Sequence, residues 1–209
     1  MKKNLLFSIL GVVAIMVLTF GTTYAYLLSS SNNQFTGEAQ SGVDTTLTLE
    51  KTYHASKMVP LADSLIGTAI SKATNKCIDK SGYEVCSLYK IILENTVDSE
   101  NLYGYIRTET STYTTDNLKY QFFDSEFNPL TDIMSLSKTS NETIYCQKDE
   151  TNYQVSISGN TTYYLAIWLT DTGEEQSEDY SKDFSGYIGF ESVEFFGIEN
   201  SKIEANFTA

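Results

Sequence analysis

Thr161-Thr162-Tyr163-Tyr164-Leu165-Ala166-Ile167-Trp168-Leu169-Thr170 is the stretch whose reading decides the fold class. Taken with a period of two, Tyr163, Leu165, Ile167 and Leu169 point one way, and Tyr164, Ala166 and Trp168 the other. Both faces carry apolar groups, so the segment predicts a strand in mid-sheet with cover on each side. Ser87–Glu94 behaves similarly, with Tyr89, Ile91 and Leu93 alternating against Leu88, Lys90, Ile92 and Glu94. Working outward, further strands are expected at Val43–Lys51, Leu102–Glu109, Leu118–Asp124, Glu142–Gln147, Tyr153–Ser158 and Phe184–Phe196. Gly186 and Gly189 in the last of these predict a bulge or a close backbone approach. Its alternation also slips between Phe190 and Val193, as one extra residue would cause. Pro60–Thr74 alone reads as helical beyond the N-terminus, with Leu61, Leu65, Ile66 and Ile70 in partial 3.6 spacing.

The chain holds 15 Tyr, 11 Phe and only 2 Pro, a composition suited to pleated, half-buried surfaces. About eight strands with turn signals between them favour an all-β antiparallel sandwich over a barrel or an α/β sheet. The aromatic residues are read chiefly as strand faces and core. An exposed platform of Tyr and Trp for sugar rings is the sharper alternative.

Met1–Ala25 has the form of an export signal. Lys2 and Lys3 make a positive start, Leu5–Phe20 is almost wholly apolar, and Thr23-Tyr24-Ala25 places small residues where a signal peptidase reads, giving cleavage between Ala25 and Tyr26. Retention as an anchor is the alternative, although Gly21, Thr22 and Thr23 end the apolar run short of a comfortable membrane span. The organisation read from sequence is therefore a signal helix at 1–25, an N-terminal segment at 26–42 that is flexible or donates a strand, and a β-sandwich domain at 43–209. Removing the signal, which carries two lysines and no acid, takes the formal charge from −13 to −15. Such a chain has no electrostatic reason to bind nucleic acid or anionic lipid, so the membrane is expected to be met only through the signal segment.

Cys77 and Cys86 flank a segment whose Asp79-Lys80-Ser81-Gly82 core is a turn signal, so a hairpin there brings two thiols side by side. Outside the cell that pair is a disulfide candidate, and closing so short a loop contributes roughly 2–3 kcal/mol. Two reduced, half-buried thiols are the alternative. Cys146 is left over; a buried free thiol and an intermolecular or exchanged pairing all remain open.

The sequence offers little to reaction chemistry. H-E-x-x-H, phosphate-binding glycine loops and G-x-S-x-G are all absent, and the single histidine, His54, cannot build a His-rich metal site. The expectation is no enzyme, no metal and no cofactor. Asp171, Glu174, Glu175, Glu178 and Asp179 form an acidic loop that lacks the spaced calcium-loop pattern, and it reads as a solvated charged loop before it reads as a weak calcium site.

Three segments carry a resemblance. Gly21-Thr22-Thr23-Tyr24-Ala25-Tyr26 resembles the signal-peptide end of the camelysin/TasA family, whose members are exported by a dedicated signal peptidase. Tyr163–Leu169 with the acidic loop after it resembles that family's Trp-containing strand. Asp183-Phe184-Ser185-Gly186-Tyr187-Ile188-Gly189-Phe190 is similar to its closing strand. Together they cover about a quarter of the chain, and the Cys77–Cys86 segment is not part of the pattern. The resemblance implies a jelly-roll-like sandwich from a Gram-positive-type bacterium, secreted to the cell surface or extracellular matrix and assembled head to tail with copies of itself into biofilm fibres. It further implies that the mature N-terminal segment completes a sheet of the next subunit, with Tyr26, Leu27, Leu28 and Phe35 as donor-strand anchors. The metalloprotease activity described for camelysin is not implied, because no zinc motif is present. The alternative function is a monomeric secreted binding module, an adhesin or carbohydrate-binding sandwich.

Overall fold

The computed structural model describes residues 34–37, 45–55, 57–71, 74–95, 100–192 and 202–209. The chain divides into compact units at Met1–Phe35 and Thr36–Ala209. The short strand Gln34–Gly37 straddles that boundary.

Among the described residues, eight strands of four or more residues organise the second unit. They are β1 (Thr45–Tyr53), β2 (Cys86–Asn95), β3 (Glu100–Ser111), β4 (Leu118–Phe123), β5 (Gln154–Ile157), β6 (Asn160–Leu169), β7 (Phe184–Ser192) and β8 (Lys202–Thr208). Within this unit one sheet runs β1-β2-β6-β4 and ends at the short strand Met134–Ser135. The other runs β5-β3-β7-β8, with Thr143–Tyr145 also paired to β3. These ladders are antiparallel throughout.

The strand expected to be covered on both sides lies where its two apolar faces require. β6 is flanked by β2 and β4, with Leu165 opposite Tyr89 and Phe122, and Trp168 opposite Cys86 and Lys119. Leu165, Ile167 and the paired Tyr89 and Tyr120 are fully buried on its inner side. That side meets the second sheet: the rings of Tyr89 and Phe207 of β8 stand edge to face, 5.6 Å apart. The opposite side, with Tyr164, Ala166 and Trp168, is closed by Leu61, Ile66, Ala69, Ile70 and the Cys77–Cys86 pair. Each face therefore removes apolar area from water independently.

Several expectations need correction. Pro60–Thr74 is not a helix: it contains a 3-10 turn at Asp63–Leu65, one α-helical turn, α1, at Ile66–Ala69, and then strand at Ile70–Ser71. One turn satisfies too few backbone bonds to propagate, and Gly67 lowers its propensity further. Glu142–Gln147 shortens to Thr143–Tyr145, after which the chain turns away through Gln147–Lys148 and Thr151–Asn152. The bulge in β7 falls between Ser185 and Gly186, and the register then runs unbroken through Ser192. The slip expected at 190–193 is absent as far as Ser192, and Val193 and the rest of that run lie outside the described residues. β8 was not expected at all. Among the described residues no helix is long and apolar enough to cross a membrane.

The glycines of β7 act by their lack of a side chain. A Cβ on Gly186 would lie 2.8 Å from the Arg107 carbonyl oxygen and 2.9 Å from the Phe184 ring; one on Gly189 would lie 2.2 Å from Tyr105 Cζ. Bulge and close approach are both present, at neighbouring positions.

Candidate functional site

The outer face of the second sheet gathers a polar aromatic array. The even spacing of β3 sends Tyr103, Tyr105, Arg107 and Glu109 outward while Leu102, Ile106 and Thr108 go to the core. Cross-strand register then sets Tyr187 beside Arg107, Gly189 beside Tyr105 and Glu191 beside Tyr103, with Glu204 beyond Gly189 on β8. Tyr145 stands opposite Tyr105 on the other side.

The groups of this face satisfy one another. Arg107 donates to Glu204 from Nη2 at 2.5 Å and from Nε at 3.0 Å, and Tyr105 donates to the same carboxylate at 2.9 Å. The guanidinium also lies 4.2 Å from the centre of the Tyr187 ring, a cation–π contact. Glu109 accepts from Ser185, Tyr187 and Asn206. Tyr145 donates to Glu191 at 2.5 Å; that bond, with burial, pushes its phenol up to about 12. Tyr105 crosses the bare backbone of Gly189, so its ring takes the place of a missing side chain. Tyr105 is itself buried, at 2 % exposure, so the groups this geometry can present to a polar ligand are the half-buried Tyr103, Tyr145 and Tyr187 with the carboxylates. The arrangement does not place a nucleophile beside a base.

Burial works to raise the Glu204 carboxyl, but the bonds from Arg107 and Tyr105 and the nearby positive charge outweigh it and hold it below its usual 4.5. A lowered folded value means that its stabilising contribution is complete above the ordinary carboxylate range and is lost as pH falls through the lowered value. Glu204→Gln should therefore flatten the acid limb of stability against pH below about 5 and cost on the order of 1–2 kcal/mol at pH 7. Chemical denaturation across a pH series checks both.

The other residues singled out in the sequence lie away from this face. Cys77 and Cys86 are joined in a disulfide, and both are fully buried. The turn between them is held by Asp79, whose Oδ1 accepts from the amides of Ser81 and Tyr83. Ala25, Tyr26, Leu27 and Leu28 lie outside the described residues; Phe35 lies in the strand Gln34–Gly37. Trp168 is no surface platform: it is fully buried and donates from Nε1 to Asp63 at 2.9 Å. His54 Nδ1 lies 3.2 Å from Ser87 Oγ. Burial, then the charge of Lys51, hold the imidazole below its usual value. Ser87 itself is fully buried, so this pair presents no nucleophile to a substrate.

The acidic loop is only partly the solvated loop expected. Asp179 is 5 % exposed and accepts from Thr115, from Asn117 at 2.7 Å and from Gln176 at 3.3 Å. It pins the loop to the β3–β4 connection and frames an open polar cavity of about 280 Å³ lined also by Glu174, Glu175 and Glu178. Among the described residues no three His, Cys, Asp or Glu side chains converge as metal ligands.

Cys146 is a buried free thiol on the inner side, and burial raises its pKa. Tyr120 Oη faces it, buried and with no hydrogen-bond partner beyond the weak thiol. Tyr120→Phe should accordingly raise stability by about 1 kcal/mol, since it removes an unsatisfied buried hydroxyl at nearly constant volume. A higher urea midpoint at an unchanged slope would register it.

Sequence reasoning missed the outer face of the second sheet, although the alternation of Tyr103, Tyr105, Arg107 and Glu109 was there to read. What joins them to Tyr145, Tyr187, Glu191 and Glu204 is register, which no local pattern supplies. In comparisons with known proteins, no family model, curated protein or solved structure matches this chain.

Proposed function

We propose that the chain is an exported, non-catalytic structural protein that assembles into extracellular matrix or surface fibres, the N-terminal segment of one copy completing a sheet of the next. What supports this reading is the strand Gln34–Gly37 at the end of the donor segment: it lies beside β1 at the edge of its own first sheet, the place an exchanged strand would fill in the next copy. The body that follows is all-β and antiparallel, and an edge of such a sheet offers N–H and C=O groups that an incoming strand can satisfy. A head-to-tail contact of this kind leaves each copy with a donor and an acceptor, so growth is open-ended. A jelly-roll order of strands and processing by a dedicated signal peptidase belong to the same proposal. The test is the mature chain from Tyr26, followed by electron microscopy at rising concentration beside a version lacking residues 26–35. Filaments from the first and none from the second are expected; undiminished filaments after trimming would reject strand donation.

The second reading is a monomeric secreted binding module, and one observation favours it: three half-buried tyrosines, Tyr103, Tyr145 and Tyr187, share a single sheet face with three carboxylates. Its expected signature is retardation of the monomer in gels containing a soluble polysaccharide, abolished by Tyr103→Ala with Tyr145→Ala.

A further inference from the structure

The segment between β1 and β2 crosses the outer side of the first sheet as a strap, described at residues 57–71 and 74–85. Its Leu61, Ile66, Ala69 and Ile70 close over Trp168, Tyr164, Ala166 and Phe123. Its own regular structure comprises the turns at 63–69, the two-residue pair Ile70–Ser71 with Lys76–Cys77 and the bridge between Ile78 and Glu84. The amides of Val59, Ile78 and Val85 donate to the carbonyls of Glu84, Ala69 and Cys77 respectively and close it on itself. Backbone bonds tie it to the sheet at Leu61, which donates to Leu169 and accepts from Asp171, and the Trp168–Asp63 bond adds a side-chain tie. The covalent tie is Cys77–Cys86, which joins the strap at Cys77, before its final turn, to the first residue of β2. Val59, Leu65 and Tyr83, three of the five exposed large apolar side chains among the described residues, lie on this segment.

A region whose backbone bonds run mostly within itself, tied by backbone to the sheet at Leu61 alone among the described residues, can open as a unit below the free energy of global unfolding. We propose that the strap is such a unit, opening and closing over Trp168 independently of the two sheets, and that Cys77–Cys86 is its lock. This rests on the export reading for its biological setting. The chain leaves a reducing compartment with two thiols and an unlocked strap. Outside, a disulfide-bearing oxidant takes two electrons from Cys77 and Cys86 and is itself reduced to thiols. The two cysteine protons end on the oxidant's sulfurs as its S–S bond breaks, the Sγ–Sγ bond of Cys77–Cys86 forms, and the fold is completed. Loss of the cross-link raises the opening constant by on the order of fiftyfold, as the chain entropy of so short a loop requires.

The protein carries its own internal standard, because Cys146 lies on the inner side between the sheets, away from the strap. The test is folded full-length mature protein treated with dithiothreitol, whose two thiols become a cyclic disulfide as Cys77 and Cys86 gain two electrons and two protons. Pulse alkylation with iodoacetamide and mass spectrometry then follow each cysteine. Cys77 and Cys86 are expected to label at least on the order of tenfold faster than Cys146, with Trp168 emission shifted to the red and far-UV dichroism unchanged. Labelling of all three together would overturn the proposal, since opening would then be global. So would protection of all three after reduction, since the disulfide would then lock nothing. Asp63→Ala supplies a second measurement on the oxidised protein: reduction at a fixed dithiothreitol concentration should accelerate severalfold while Cys146 labelling stays constant, and an unchanged rate would also overturn it. These results do not depend on where the chain resides; retention of the tagged chain in the cytoplasm would defeat the export reading and leave the strap result standing.

Discussion

Trp168→Ala is expected to lower the free energy of unfolding by about 3–5 kcal/mol, the upper range for truncating a buried aromatic. Trp168 is fully buried, and it sits where the strap meets the sheet, against Leu61, Ile66, Ala69 and the disulfide. Removing the indole leaves a void between two elements that are both tied down, by Cys77–Cys86 at one end and by the Leu61 backbone bonds at the other, so collapse into the space is restricted. The substitution also deletes the donor to Asp63. Asp63 is only half-buried and can turn to water, so this second loss is the smaller one. Urea denaturation followed by far-UV dichroism measures the effect without relying on the deleted fluorophore. Trp168→Phe should cost less than half as much, because most of the volume is kept. Equal losses for the two variants would show that the Asp63 bond, not packing, holds the strap.

The second large effect is expected in β7, where Gly186→Ala should cost about 2–3 kcal/mol and Gly189→Ala clearly less. The two glycines look alike in sequence, and the added methyl group is nominally closer to its neighbour at 189, at 2.2 Å against 2.8 Å. What yields is different. At Gly186 the obstacle is the Arg107 carbonyl oxygen, part of the β3 ladder, together with the buried Phe184 ring. Neither can move without disturbing backbone pairing at the bulge. At Gly189 the obstacle is the end of the Tyr105 side chain, a buried ring on the outer face that can swing toward solvent at the expense of some of its burial and of its bond to Glu204. Gly189→Ala should therefore lose about 1 kcal/mol and the Tyr105–Glu204 bond together. Its acid limb should change in the direction expected for Glu204→Gln, whereas that of Gly186→Ala should not. Thermal or urea denaturation of both variants at pH 7 and pH 4 separates the two mechanisms, and the reverse ranking would contradict the geometry.

These two sites differ in what they hold together. Trp168 secures the cover of the first sheet, and the glycines of β7 secure the second sheet and the tyrosine face built on it. The fibre and binding-module readings draw on separate parts of the molecule, the N-terminal segment and that outer face, so variants of one leave the other intact.

Much of the architecture was legible locally. The double-sided alternation of Tyr163–Leu169 required a strand covered on both faces, because a period of two assigns every side chain without reference to the rest of the chain. The Asp79–Gly82 turn required Cys77 and Cys86 to approach, and two glycines in one strand required something to come close to the backbone. The terminal strand Lys202–Thr208 was equally open to reading, since Ile203, Ala205 and Phe207 alternate with Lys202, Glu204 and Asn206.

Only the tertiary structure decided the rest. Pro60–Thr74 carries helical spacing, yet the need to lie flat against Trp168 and return to β2 leaves it a single turn. Asp179 reads as one acid among five and becomes a buried anchor, because Thr115 and Asn117 approach it from more than 60 residues away in the chain. Tyr105, Tyr145, Tyr187 and Glu204 become one cluster through strand order and register. Alternation is a property of neighbouring residues and can be read from them; which strands lie side by side depends on contacts between distant parts of the chain, and those exist only once it has folded.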